Sequence, residues 1–134
     1  MSNLRLVRQA YKAFKHGDIT AIIEFIDPEI EVHDPGGGVE PQERHGQTGL
    51  IDSVRNMRTV WEDFRLELDE AIDLGDRVLA LVRMSGRGRH GGVPVQAKVA
   101  HLWAIRGERA VRLEIFTDWD AARAAVDRVG AAAR

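Results

Sequence analysis

The 134 residues contain no cysteine. That excludes disulfides, thiolate nucleophiles, iron–sulfur clusters and Cys-ligated zinc. No apolar run approaches the roughly 18 residues that span a bilayer. The opening Met1 to Arg5 lacks the apolar core of a signal peptide and runs straight into an amphipathic pattern. An excess of either charge is missing too: 19 Lys and Arg stand against 21 Asp and Glu, a net charge of −2. Such a balance argues against a protein that coats nucleic acid or an anionic membrane. These absences lead us to expect a soluble, cytoplasmic protein with neither nucleic acid nor membrane as partner. What is present is ordinary for a globular chain, with 44% hydrophobic and 30% charged residues. A chain of this length buries roughly two-thirds of its unfolded surface, enough for one core. Without internal repeat or linker, residues 1–134 read as a single domain.

Leu4, Val7, Tyr11 and Phe14 recur at helical spacing, with Ser2 or Asn3 as cap and Gly17 as stop. Asp18 caps a second short helix with Ile19, Ile22, Ile23 and Ile26 on its apolar face, ended by Pro28. Ile30 to Asp34 alternates as a strand, Pro35 to Gly38 breaks it, and a polar loop follows to about Gln47. A third helix is predicted from Thr48 to Asp63, with Leu50, Val54, Met57 and Trp61 in one stripe. The period then changes to 2, giving strands over 64–73, 77–85, 93–106 and 109–117. A last helix starts near Asp120, and Asp118 reads as its entry. Helices first, then a strand meander and a closing helix, specify α+β with a mostly antiparallel sheet.

The last hairpin is the most informative segment. A type II′ turn at Gly107-Glu108 pairs Arg106 with Arg109 and so sets every other pair. Ala100, Leu102 and Ala104 then share one apolar face with Ile115, Leu113 and Val111. On the other face Trp103 opposes Arg112, His101 opposes Glu114, and Val99 opposes Phe116. That mixed face is either a solvated surface or the wall of a ligand cavity; its large aromatics favour the cavity.

Four stretches carry a family resemblance: Tyr11 to Asp18, Asp27 to Pro35, His45 to Ile51 before a helix with Trp61, and His101 to Gly107 with Glu114 to Asp118. In order and spacing the chain resembles the nuclear transport factor 2-like superfamily, in its SnoaL-like and ketosteroid-isomerase-like branch. The resemblance implies a cone-shaped curved sheet, of cystatin-like α+β type, wrapped around N-terminal helices and enclosing an apolar pocket. It also implies a homodimer through the outer sheet face, here Ala100, Leu102, Ala104, Val111, Leu113 and Ile115. In ketosteroid-isomerase-like members an Asp before a Pro shuttles the proton, and Asp34-Pro35 matches that position. Their oxyanion hole is built from a Tyr and a protonated Asp. The helix-one Tyr aligns best with Ala10, leaving Tyr11 about 100° round the helix. The second Asp falls on His101.

The expected activity is proton transfer on a small apolar organic molecule: isomerisation, dehydration or polyketide-cyclase-like aldol closure. Asp34 is the candidate general base; His101, oriented by Glu114, is the candidate acid or oxyanion donor. Tyr11, Trp61, Val82, Met84, Trp103, Arg112 and Phe116 are the candidate pocket residues, Tyr11 and Trp61 having a core role as the alternative. Facing Glu114, His101 is expected to have its pKa raised above about 6.5. A non-catalytic ligand-binding or dimeric interaction module is the competing class. Arg112-x-Glu114 is the nearest equivalent of the Arg-x-Asp pair of epoxide-hydrolase relatives. Asp34, His45 and His101 are the one metal grouping that strand alternation permits, because His33 and Asp34 point to opposite faces. Neither a metal nor a cofactor is expected. Gly86 to Gly91 has the spacing GxGxxG, but a strand follows it, so it reads as a hairpin loop rather than a dinucleotide site. Asp34-Pro35-Gly36 is also good turn chemistry on its own.

Overall fold

A computed structural model of the chain describes residues 2–15, 19–34, 42–48, 50–52, 61–88 and 91–132. The side chains of Ile19, Asp34, Gln42 to His45 and residues 128–132 lie outside that description. So do the whole of His16, Gly17, Asp18, Pro35 to Gly38, Val54 and Met57, on which parts of the sequence reading rest.

Helix α1 (Asn3–Lys15) buries Val7 and Tyr11, two residues one turn apart. Ser2 is its cap: the Arg5 amide donates to Ser2 Oγ at 3.2 Å. Asn3 Nδ2 donates to the Gly75 carbonyl at 2.9 Å, tying the start of the helix to a sheet turn. Helix α2 (Ile19–Phe25) ends before Pro28 as expected, but the chain passes directly into strand β1 (Ile26–Asp34), four residues earlier than alternation suggested. Helical backbone is described at 47–48 and 50–52. The predicted third helix does not reach Asp63, because Trp61 already opens strand β3 (Trp61–Asp73). Strands β4 (Arg77–Gly88), β5 (Pro94–Arg106) and β6 (Arg109–Phe116) follow the predicted spans closely. A short strand β2 (Gln42–His45) stands where a loop was read; its four polar residues carry no alternation to see.

The strands form one curved six-stranded sheet in the order β2-β1-β6-β5-β4-β3, antiparallel except for the β1–β6 pair. Register shifts occur in β3 between Glu62 and Arg65 and between Leu68 and Glu70, the first beside Asp63 at φ 51°. Each extra residue bends its strand. The concave face packs on α1 and α2 through Val7, Tyr11, Phe25, Ile30, Val32, Val78, Val82 and Trp103. The convex face of β4 and β5 is covered by helix α3 (Trp119–Ala132): Leu79, Leu81, Ala100 and Leu102 meet Ala122, Trp119 and Val126. Asp118 caps α3 by accepting the Ala121 amide at 2.6 Å.

The register of the last hairpin differs from the expected one. Gly107 (φ 58°) and Glu108 (φ 65°) are both left-handed, so the turn is type I′ rather than II′. Arg106 still pairs with Arg109 and Ile105 with Ala110, but Ala104 then pairs with Arg112. Val111 is an extra residue, and it reverses the face of everything after it in β6. Leu113 and Ile115 point into the core, while Arg112, Glu114 and Phe116 point outward. The apolar outer face proposed for pairing two copies is therefore not continuous. Leu113 is 2% exposed inside the core, and α3 of the same chain covers Ala100 and Leu102.

Candidate functional site

The concave face carries a small aromatic and polar cluster where the Tyr11 side chain, from a helix packed on β3 and β4, reaches β5. Helical spacing aims Tyr11 at the sheet one turn after Val7, and strand alternation brings His101 and Trp103 to the same face. Trp103 Nε1 donates to Tyr11 Oη at 3.0 Å. Tyr11 Oη lies 2.5 Å from His101 Nδ1. The Tyr11 and His101 rings are inclined by only 13°, so the hydroxyl meets the in-plane lone pair of the imidazole. Phe25 packs edge-on against Trp103 at 5.4 Å. Val82 and Val99, cross-strand partners and both buried, continue the apolar floor.

Burial governs the ionisation of both polar members. It pulls His101 down from 6.5 to about 4 and pushes the Tyr11 phenol far above its ordinary 10.0. Near neutral pH the pair is a neutral imidazole and an intact phenol. This reverses the expected direction for His101, and the bulge supplies the reason. Glu114 opposes Leu102, not His101, and lies on the convex face with its carboxylate 3.2 Å from Arg112 Nε. Among the described residues no carboxylate lies against the ring, and desolvation sets the direction.

The register places Asp34 relative to this cluster. Val32 pairs with Leu113 and His33 with Glu114 in the parallel ladder. Asp34 follows His33 at the end of β1, and Ile115, which follows Glu114, pairs with His101. Ile115, His101 and Ala80 thus form one row across the sheet. Asp34 stands two residues after Val32 on β1.

The other candidates fall in different places. Met84 is half-buried against the same core, four residues along β4 from the row of His101. Trp61 pairs with Gly88, eight residues along β4 from that row, or about 26 Å of strand. Arg112 and Phe116 are not pocket residues: Arg112 is exposed and Phe116 packs with α3. The Arg112–Glu114 pair is accordingly no water-activating dyad at the site. His45 stands opposite Glu31, three residues from Asp34, and its side chain is outside the described residues. His33 faces Glu31, with Nε2 at 3.7 Å from the carboxylate. Tyr11 itself was legible as a buried residue. That its hydroxyl meets His101 was not, although a buried Tyr needs a polar partner and this one had few within reach.

Comparisons with known proteins agree with this architecture. Residues 7–113 match the family model of a SnoaL-like domain, a fold family that includes polyketide cyclases and isomerases. No curated protein matches the chain in sequence. Among solved structures, an NTF2-like protein from Burkholderia thailandensis superposes with TM-score 0.80 at 27% identity, covering 88% of this chain and 92% of that one. An NTF2-like protein of unknown function from Burkholderia pseudomallei gives 0.76 at 28% identity, with the same 88% and 92%. TerC, co-crystallised with polyporic acid, gives 0.74 at 26% identity over 90% of this chain and 95% of its own. No described helix is long and apolar enough to cross a membrane. The matched span begins at Val7, which seats α1 on the sheet, and ends at Leu113, which lies beside Trp103 in the ladder. The Tyr11–His101–Trp103 assembly falls inside it, and the chain belongs to the SnoaL-like domain family of the NTF2-like superfamily.

Proposed function

We propose that the protein is a small-molecule enzyme that moves a proton on an apolar organic substrate, in the manner of an isomerase, dehydratase or cyclase. The observation that carries this reading is the buried Tyr11–His101–Trp103 cluster on the concave face, with Asp34 at the end of β1, next after the residue that pairs with Glu114. Asp34 is the general base that takes a proton from the carbon next to the carbonyl. His101, neutral near pH 7, donates a hydrogen bond to the oxygen on which charge develops. It acts as a donor and not as an imidazolium acid, a role neutral histidines fill elsewhere. Phe25, Val82, Val99 and Trp103 supply the apolar surroundings that keep a carboxylate basic and a hydrogen bond strong. TerC, of the same fold and 26% identical, was co-crystallised with polyporic acid, which supports a small organic compound as the class of occupant.

A non-catalytic ligand-binding module is the second reading. Its supporting observation is that both described polar groups of the cluster are uncharged near neutral pH. The two separate in one experiment, exchange of the α-hydrogens of 2-tetralone for solvent deuterium, followed by NMR. We expect the wild type to accelerate exchange and Asp34→Asn to lose the acceleration by at least about a hundredfold while still folding. Binding of 2-tetralone without any accelerated exchange would establish the binding module instead.

A further inference from the structure

The described hydrogen-bond partners of Tyr11 are all accommodated by one direction of donation. The indole Nε1 of Trp103 carries a proton and has no lone pair in the ring plane, so at 3.0 Å it can only donate to Tyr11 Oη. The hydroxyl has one proton of its own, and among the described residues its other hydrogen-bond partner is His101 Nδ1 at 2.5 Å. That proton goes to Nδ1, which must present a lone pair. In a neutral imidazole the remaining proton then sits on Nε2, across the ring from Tyr11. Trp103 is 8% exposed and wedged among Tyr11, Phe25 and His101, so its indole has little freedom to turn and release the arrangement.

We infer that Trp103 and Tyr11 are positioning residues that fix His101 as the Nε2–H tautomer, so that the site offers its ligand a single neutral donor and selects compounds whose polar atom is an acceptor oxygen. The ligand half of this inference rests on the reading that His101 faces the substrate; the tautomer half does not. Tyr11 is thereby withdrawn from direct contact with a ligand oxygen, since its proton is engaged by His101. The selected class is ketones, quinones and ionised enols or phenols attached to apolar rings. Hydrocarbons of the same shape gain no hydrogen bond.

Nitrogen-15 NMR of the free protein at pH 7 distinguishes the two neutral tautomers of His101 directly. We expect protonated Nε2 and bare Nδ1 in the wild type, and a mixture of tautomers in Trp103→Phe and in Tyr11→Phe. A wild type protonated at Nδ1 overturns the inference, and this readout needs no variant to fold. An unchanged tautomer in a folded Trp103→Phe overturns the role of Trp103. For the ligand class, 2-tetralone and tetralin are compared by tryptophan fluorescence. We expect the ketone to bind about tenfold tighter, and this preference to disappear in His101→Asn. Equal binding of the two by the wild type overturns the selectivity. If His101 is protonated at Nε2 but 2-tetralone undergoes no exchange, the catalytic reading fails and the tautomer assignment stands. If exchange occurs with protonated Nδ1, the reverse holds.

Discussion

His101 is half-buried, hydrogen-bonded through Nδ1, and held near pKa 4 by desolvation. Its folded pKa lies below the unfolded value of 6.5. The stability linked to this group is therefore fully present above pH 6.5 and is lost as pH falls from there towards 4. The slope is about 1.4 kcal/mol per pH unit, so the loss is on the order of 3 kcal/mol across the window. His101→Asn keeps an acceptor near Nδ1 and removes the titration. Urea unfolding at a series of pH values should show the wild type losing stability relative to this variant only below about pH 6.5. A wild type that instead gains on the variant as pH falls would place a charged partner against the ring.

Among the elements, the hairpin β5–β6 decides the most, because one extra residue at Val111 exchanges the two faces of β6. The consequences can be measured on neighbouring positions. Leu113 is 2% exposed in the core. Leu113→Glu places a carboxylate there without a partner, and we expect it to lower stability by at least about 4 kcal/mol or to prevent folding. Glu114→Gln alters a half-exposed ion pair on the convex face and should change stability by less than about 1 kcal/mol. An NMR titration should find the pKa of His101 unmoved by Glu114→Gln. If Leu113→Glu folded normally and Glu114→Gln shifted His101, the unbulged register would be the true one. Helix α3 depends on the same geometry from the other side. Its Trp119 donates to the Val99 carbonyl at 2.9 Å, and Lys98 and Arg83 stand over the ring at 5.0 and 5.5 Å. That contact lies on the strand that carries His101 on its opposite face.

For the whole molecule, ligand and fold are coupled, because the residues proposed to meet a ligand also form the junction of α1 with the sheet. A ligand that binds only the folded state adds about 2.7 kcal/mol when present at 100 times its dissociation constant. For a chain of this size that corresponds to a rise in melting temperature of roughly 10 °C. Saturating 2-tetralone should produce such a shift at pH 7, and His101→Asn should reduce it. A ketone that quenches tryptophan fluorescence yet leaves the melting temperature unchanged would be binding away from the α1–sheet junction.

The order of elements, the four long strands and the caps at Ser2 and Asp118 were written into local sequence. Each depends on period, glycine placement or a side chain within three residues of its partner. The parity of β5 was equally local, so His101 and Trp103 were correctly read as sharing a face with Val99. Tertiary structure decided what lay across from that face. Nothing in Ala110-Val111-Arg112 marks a bulge, since the extra residue is admitted by the packing of Leu113 and Ile115 into the core rather than by turn chemistry. The change of partner follows from it: Glu114 went to Arg112, and His101 went to a tyrosine 90 residues earlier in the chain. The seating of α3 on Ala100 and Leu102, two residues of the expected outer face, was also a tertiary outcome. Local sequence sets which side chains a strand presents together. Whether a buried histidine meets a carboxylate or a phenol, and hence whether it is charged, depends on groups that only the folded chain brings within a few ångströms.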